Sequence, residues 1–291
     1  MKIALHGIGV QKEFLPSVQL LFSLLRDSNI QFFLTDAFHK SLRKISFEKA
    51  PLPELLSKSQ IGEMDFVLSV GGDGTLLDTV CLVGASEIPV LGINTGRLGF
   101  LATVAKEDIR QALQRLSEGD FSLEARSLLS LESDQDLFNG LNFGLNEFTI
   151  HKRDTSSMIT VHTYINDLYL NSYWADGLIV ATPTGSTGYS LSCGGPLIAP
   201  RARNFVITPV SPHNLNVRPI VVSDESEISF KIEGRSEKFL ISLDSRSMPI
   251  DASVNLRVKR AGFVAKLVKF NPDNYFDTLR QKLNWGFDMR N

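Results

Sequence analysis

Phe66-Val67-Leu68-Ser69-Val70-Gly71-Gly72-Asp73-Gly74-Thr75-Leu76-Leu77 carries more information than any other stretch of this 291-residue chain. An apolar run, three glycines around one acid, and a second apolar run predict a strand, a tight turn and a helix. Glycine lets the backbone adopt φ > 0 and come close to a ligand. The helix that follows offers its unpaired N–H groups and the positive end of its dipole, an environment suited to phosphate. A carboxylate placed there, Asp73, suits a site that must take a proton from a hydroxyl beside a phosphate. Taken alone, the motif serves equally well as a structural turn capped by Asp73 or Thr75.

Outward from this turn, segments alternate. Lys2–Leu5 reads as a strand, residues 14–26 as a helix with Leu15, Val18, Leu21, Phe22 and Leu25 on one face, and Ile30–Leu34 as a strand. Pro51 and Pro53 mark a break before a short helix. Pro89–Ile93 is the next strand, and residues 107–118 a helix with acids at its start and Gly119 at its end. Such βα units predict a parallel sheet flanked by helices.

Near residue 121 the texture changes to strands and turns. Ile159–Ile165 and Leu168–Asn171 flank Asn166-Asp167 as a hairpin; Ile228–Ile232, Phe239–Leu243, Val254–Val258 and Val264–Phe270 continue the pattern. Residues 272–286 read as a closing helix. The expected layout is an α/β N-terminal domain with a parallel sheet over 1–121, a β-rich domain over 122–270, and a C-terminal helix over 271–291 that returns to the first domain. Clefts between domains are favoured ligand sites, and the active site is expected there.

With 43% hydrophobic residues and a formal net charge of −2, the chain can bury sizeable cores and has no strong basic field. A nucleic-acid partner is therefore not expected. Cys81 and Cys193 match no metal spacing and read as reduced thiols of a cytoplasmic protein. No apolar run approaches the roughly 20 residues of a membrane helix, and the N-terminus does not read as a signal peptide.

Three further stretches bear on chemistry. Asn94-Thr95-Gly96-Arg97-Leu98-Gly99-Phe100-Leu101 follows the next strand, so it shares the sheet's carboxyl edge with the glycine turn, and ligands of open α/β sheets bind along that edge. Its apolar members could instead plug a domain interface. Asn146-Glu147 interrupts an apolar strand; a base edge or ribose hydroxyls would partner these heads, although a water-facing strand edge is the plainer reading of these residues alone. Asp176-Gly177 opens a strand that empties into Thr182-Pro183-Thr184-Gly185-Ser186-Thr187-Gly188-Tyr189-Ser190-Leu191-Ser192, whose hydroxyls and amides could clothe sugars and phosphates and whose Tyr189 could stack on a base. The Walker lysine is absent, which excludes a P-loop. Gly7-Ile8-Gly9 begins a dinucleotide fingerprint that Lys12 breaks, leaving an ordinary β–α turn.

In order and spacing, these four stretches resemble the NAD kinase family, as does Thr208-Pro209-Val210-Ser211-Pro212-His213 with Arg218-Pro219. The resemblance runs from about residue 60 to 270. It implies transfer of the γ-phosphoryl group of ATP to the 2′-hydroxyl of the adenosine ribose of NAD, with Asp73 as general base. Gly71, Gly72, Gly74 and Thr75 would serve the phosphates. Asp73, Gly74, Asn146, Glu147, Asp176, Thr187, Gly188, Tyr189, Ser190, Leu191, Ser192 and Arg246 would serve NAD. The resemblance also implies a divalent ion, Mg²⁺, with no dedicated protein ligands, and a homodimer or homotetramer whose neighbouring subunit completes the NAD site. Gly188 stands where alanine is usual, Ser157 and Trp174 where many bacterial members carry basic or histidine groups, and Arg246 where some have glutamine. The glycine turn alone is also shared with diacylglycerol-type lipid kinases. That activity and a non-catalytic NAD-binding regulator are the competing expectations.

Overall fold

The computed structural model describes residues 1–45, 52–96, 99–153, 157–235, 238–270 and 275–284. Pro51, Arg97 and Leu98 lie outside them. Along the chain run β1 (Lys2–His6), α1 (Leu15–Asp27), β2 (Gln31–Leu34), α2 (Asp36–Lys44), β3 (Phe66–Gly71), α3 (Asp73–Val83), β4 (Val90–Asn94), α4 (Ile109–Glu118), β5 (Ser122–Ser133) and β6 (Phe143–Gly144). There follow β7 (Glu147–Lys152), β8 (Ile159–Ile165), β9 (Leu168–Ala175), β10 (Gly177–Ala181), α5 (Tyr189–Ser192), β11 (Asn204–Val210) and β12 (Ile220–Ser223). The chain closes with β13 (Ile228–Glu233), β14 (Lys238–Leu243), β15 (Arg246–Asp251), β16 (Leu256–Lys269) and α6 (Tyr275–Leu283).

The chain forms two compact units, one of Met1–Ala125 with Ala265–Asn291 and one of Arg126–Val264. The divide falls inside β5 and β16, whereas the texture of the sequence placed it at 121 and 270. Each of these strands runs straight through the divide, so no turn signal marks it.

In the first unit, parallel strands stand in the order β2-β1-β3-β4, and the end of β16 joins parallel beside β4. β1 and β3 are almost wholly buried, which is why they read as continuous apolar runs. One core gathers Leu5, Leu34, Leu68 and Ile93 from the strands with Leu21 and Leu25 of α1, Phe38 of α2 and Leu113 of α4. Shortening one of these leucines to alanine would cost about 2–5 kcal/mol.

Helix α2 was not read from the sequence. Its signals are Thr35, whose hydroxyl accepts the N–H of Phe38, and the apolar pair Phe38 and Leu42. The short helix expected after Pro53 is a 3₁₀ segment, Lys58–Glu63. Gly7 has no room for a Cβ, which would sit 2.6 Å from the Phe38 ring, so that turn serves close packing of α2.

In the second unit, β12-β11-β10-β7-β14-β15 form an antiparallel sheet. A second antiparallel set follows the order β16-β13-β8-β9. Their apolar faces share one core, in which Phe148 of β7 lies 5.8 Å from Phe230 of β13 between ring centroids. The alternation of buried and open residues along β13 and β14 follows from having one face on this core. Asn166 and Asp167 both take positive φ in the β8–β9 hairpin, as its twist requires. The strands read at 254–258 and 264–270 belong to one continuous strand, Leu256–Lys269.

Candidate active site

In the first unit, β3 ends at Gly71, and α3 starts two residues later. A Cβ on Gly71 would lie 2.1 Å from the Thr75 hydroxyl, so glycine is required for the turn to close over the helix. Gly72 and Gly74 are exposed with open space where a side chain would be. A phosphate can thus reach the main chain at the helix N-terminus.

Asp73 does not wave free. Its Oδ2 accepts the N–H of Phe100 at 2.8 Å, and its Oδ1 accepts those of Leu101 at 3.0 Å and Ala102 at 3.1 Å. A carboxylate has roughly four lone-pair directions, so the amides leave one on Oδ2 to receive a proton. The chain after β4 makes this possible by folding back: Asn94 Oδ1 accepts the Gly96 N–H at 2.6 Å, and the Asn94 and Val104 backbones pair. Gly99 passes so close that a Cβ would sit 1.9 Å from Asp73 Oδ1. Leu101 and Ala102 are buried, so the apolar tail of this stretch anchors a loop whose amides hold the acid. On the same unit, buried His6 joins Thr35 Oγ1 at 3.0 Å and Asp78 at 2.8 Å, a link the sequence reading did not find.

In the second unit, Asn146 and Glu147 stand where the chain enters β7. Burial first, then the charge of Asp244, push the Glu147 carboxyl up to about 8, and the Tyr189 N–H opposes the shift. Asn146 Oδ1 and Glu147 Oε2 are buried without a hydrogen-bond partner. Buried polar atoms of this kind call for one, and a base amino group and a sugar hydroxyl are the right donors.

The hydroxyl-rich loop packs on this pair. Thr182 donates its N–H to Asn146 O at 2.8 Å and its hydroxyl to Leu145 O at 2.5 Å. A Cβ on Gly185 would lie 2.1 Å from Asn146 O, and one on Gly188 would lie 3.0 Å from Glu147 Oε2. A methyl at 188 would therefore crowd this carboxyl.

Several hydroxyls expected to face ligand face inward instead. Ser186 donates to Pro183 O at 2.7 Å and accepts from the Ile198 N–H, and Ser190 bonds Thr208 at 2.8 Å, both fully buried. Thr187 donates to Thr184 O at 3.1 Å. They satisfy a tight loop at a strand end, a demand that composition does not reveal. Tyr189 and Ser192 are exposed, with Gly188 and Leu191 half-buried.

Tyr189 already has a neighbour. Its ring stacks on His151, centroids 5.6 Å apart. Burial lowers the His151 pKa, and the charge of Asp176 opposes this. Asp176 in turn pairs with Lys152 Nζ at 2.6 Å. The Arg246 guanidinium donates to Leu141 O at 2.5 Å and to Phe143 O, while its Nε is buried without a partner. The structure thus brings Asn146, Glu147, Gly188, Tyr189, Asp176 and Arg246 into one region of the second unit.

An open glycine turn whose acid is held by amides in one unit, and buried polar oxygens without a partner in the other, suit a phosphotransferase that handles nucleotides. The chain matches the ATP-NAD kinase N-terminal domain over residues 12–121 and the ATP-NAD kinase C-terminal domain over residues 145–270. It is 51% identical to an NAD kinase of Cytophaga hutchinsonii and 46% identical to one of Flavobacterium psychrophilum, with all of each chain covered. This chain belongs to the NAD kinase family. Among solved structures, an NAD kinase from Archaeoglobus fulgidus in complex with ATP matches at TM-score 0.76 and 26% identity, covering 98% of this chain and 99% of that one. Yeast NADH kinase complexed with NADH shares the fold at TM-score 0.88 and 22% identity, covering 100% and 89%.

Proposed function

We propose that Asp73 takes the proton of the 2′-hydroxyl of the adenosine ribose of NAD as that oxygen attacks the γ-phosphorus of ATP. The new P–O bond forms as the bond to the β-phosphate oxygen breaks, and ADP and NADP leave. The chain is an ATP-dependent NAD kinase, as its family membership establishes. One observation carries the assignment of the base: three amides fix the Asp73 carboxylate at the mouth of the glycine turn with one lone-pair direction left over. Phosphoryl transfer depends mainly on placement and charge stabilisation, and such an acid supplies placement.

Gly71, Gly72, Gly74 and Thr75 present main chain to the phosphates, and the relative from Archaeoglobus fulgidus supports ATP as their ligand. Asn146 and Glu147 receive the adenosine end of NAD on their orphaned oxygens. Gly74, Asp176, Thr187, Gly188, Tyr189, Ser190, Leu191, Ser192 and Arg246 complete its surroundings, with Ser190 acting through its backbone since its hydroxyl is spent. A divalent ion, Mg²⁺, would neutralise the triphosphate. An ion of this kind commonly comes in on the phosphates. No described helix is long and apolar enough to cross a membrane. A cytoplasmic homodimer or homotetramer acting on free NAD and ATP, without nucleic acid or membrane, completes the proposal.

The test offers ATP, Mg²⁺ and either NAD or diacylglycerol. NADP must form and phosphatidate must not. Asp73→Asn should lower kcat by about 10²–10⁴-fold while NAD still binds. Unchanged turnover would remove Asp73 from the role of base.

A further inference from the structure

We propose that Asp244 is the positioning residue of the NAD-binding half of this enzyme: its carboxylate gathers the consecutive main-chain N–H groups of Leu145, Asn146 and Glu147 and so sets where the Asn146 and Glu147 side chains stand. The proposal rests on the reading that those two side chains hold the adenosine end of NAD.

Asp244 lies at the tip of the β14–β15 hairpin, in a two-residue turn closed by the Leu243–Arg246 pair. It takes φ +52, a left-handed conformation that aspartate tolerates better than most residues. Its Oδ2 accepts the Leu145 N–H at 2.9 Å, and its Oδ1 accepts those of Asn146 at 2.7 Å and Glu147 at 3.1 Å. Its own N–H donates to Glu147 O at 3.0 Å. One residue therefore makes four hydrogen bonds to a three-residue segment. Aligned amides of this kind need an anion, and Asp244 is that anion.

The surroundings are built for the same contact. A Cβ on Gly144 would come within 3.1 Å of Asp244 Oδ1, so glycine leaves room for the carboxylate. Two residues on, Arg246 takes the carbonyls of Leu141 and Phe143. The hairpin tip thus presents an acid to the donors and a base to the acceptors of the segment 141–147. Burial pushes the Asp244 carboxyl up, while the amides of Leu145, Asn146 and Glu147 and then the charge of Arg246 favour its ionised form. Glu147 is faced by Asp244 from this tip and by the Tyr189 N–H from α5. Removing the Asp244 charge should therefore let the Glu147 titration fall.

The experiment uses Asp244→Asn in the full chain. An asparagine can accept at one oxygen but turns a donor toward the remaining amides. We expect the NAD dissociation constant to rise about tenfold or more, since small misplacements of binding groups are costly. The KM for ATP should hold, and the Glu147 carboxyl resonance should titrate at lower pH than in the parent. A folded variant with parental NAD affinity and parental Glu147 titration would overturn the proposal. If Asp244→Asn does not fold, Gly144→Ala presses on the carboxylate without removing it. It should weaken NAD several-fold at constant ATP affinity, and full NAD affinity would overturn the proposal equally.

The paired variant Asn146→Ala/Glu147→Ala separates the two claims. If it leaves NAD affinity intact, the reading of the NAD site fails. If it weakens NAD while folded Asp244→Asn does not, only the positioning role fails. Adding Asp244→Asn to the pair should cost little further affinity, because residues acting through one another are not additive.

Discussion

Two aspartates, one in each unit, draw three consecutive backbone N–H groups onto a single carboxylate, and they do opposite work. In the first unit, the amides of Phe100, Leu101 and Ala102 hold Asp73, the acid proposed as the general base. In the second, Asp244 holds the amides of Leu145, Asn146 and Glu147, and the proposed contacts to NAD belong to side chains on the held segment. Asp73 starts a helix beside exposed glycines, whereas burial penalises the charge of Asp244. On the proposed reading, one device fixes a reactive acid in one place and shapes a binding strand in another. What separates them is whether the carboxylate keeps access to a ligand.

The comparison can be broken at the first clamp alone. Gly99→Ala would put a methyl 1.9 Å from Asp73 Oδ1, so either the carboxylate or the loop must move. The account expects kcat to fall about 10²-fold with NAD affinity nearly kept, measured by initial rates and calorimetric titration. A loss of NAD affinity at constant kcat would mean that the first clamp serves binding, as the second does.

Gly185→Ala addresses the second unit through its scaffold. A Cβ there would lie 2.1 Å from the Asn146 carbonyl oxygen, a backbone atom that cannot swing away. Overpacking of this kind costs about 1–3 kcal/mol, read as a lower midpoint in urea. Parental stability would show that the loop can yield and that the segment is less tightly set than the clamp implies.

A further prediction concerns protons. The folded-state pKa of Glu147 is raised from 4.5 to about 8, so the folded state binds this proton more tightly than the unfolded chain. The resulting contribution to stability is fully present below pH 4.5 and is lost as pH rises through about 8. Glu147→Gln should flatten the fall in unfolding free energy across that window. An unchanged slope would assign it to other groups.

The sequence made the first clamp half legible. A strand, a glycine turn and a helix follow from local pattern, and Asp73 stood out as an acid among glycines. The amides that hold it lie 27 to 29 residues away, and nothing in Phe100-Leu101-Ala102 announces that their N–H groups are donors to a side chain. The second clamp was harder still, since Asp244 and its partners are 97 to 99 residues apart. The family resemblance aligns Asp244-Ser245-Arg246 with a loop near NAD, but nothing in that stretch shows that the acid holds distant main-chain amides. Ser186 and Ser190 misled for the converse reason: a hydroxyl-rich loop reads as ligand-facing, yet buried backbone ends consume hydroxyls first. The residues of the Asn146-Glu147 pair alone favoured a water-facing strand edge, and the family resemblance supplied the expectation of an NAD contact. The pair's orphaned oxygens required the fold to be seen.

A crystal structure with NAD bound tests the central claim most directly. The account predicts the adenosine 2′-oxygen about 2.6–3.2 Å from Asp73 Oδ2, the oxygen that accepts one amide only, with the three amide contacts retained. A 2′-oxygen met by some other base, with Asp73 turned away from the ribose, would contradict it.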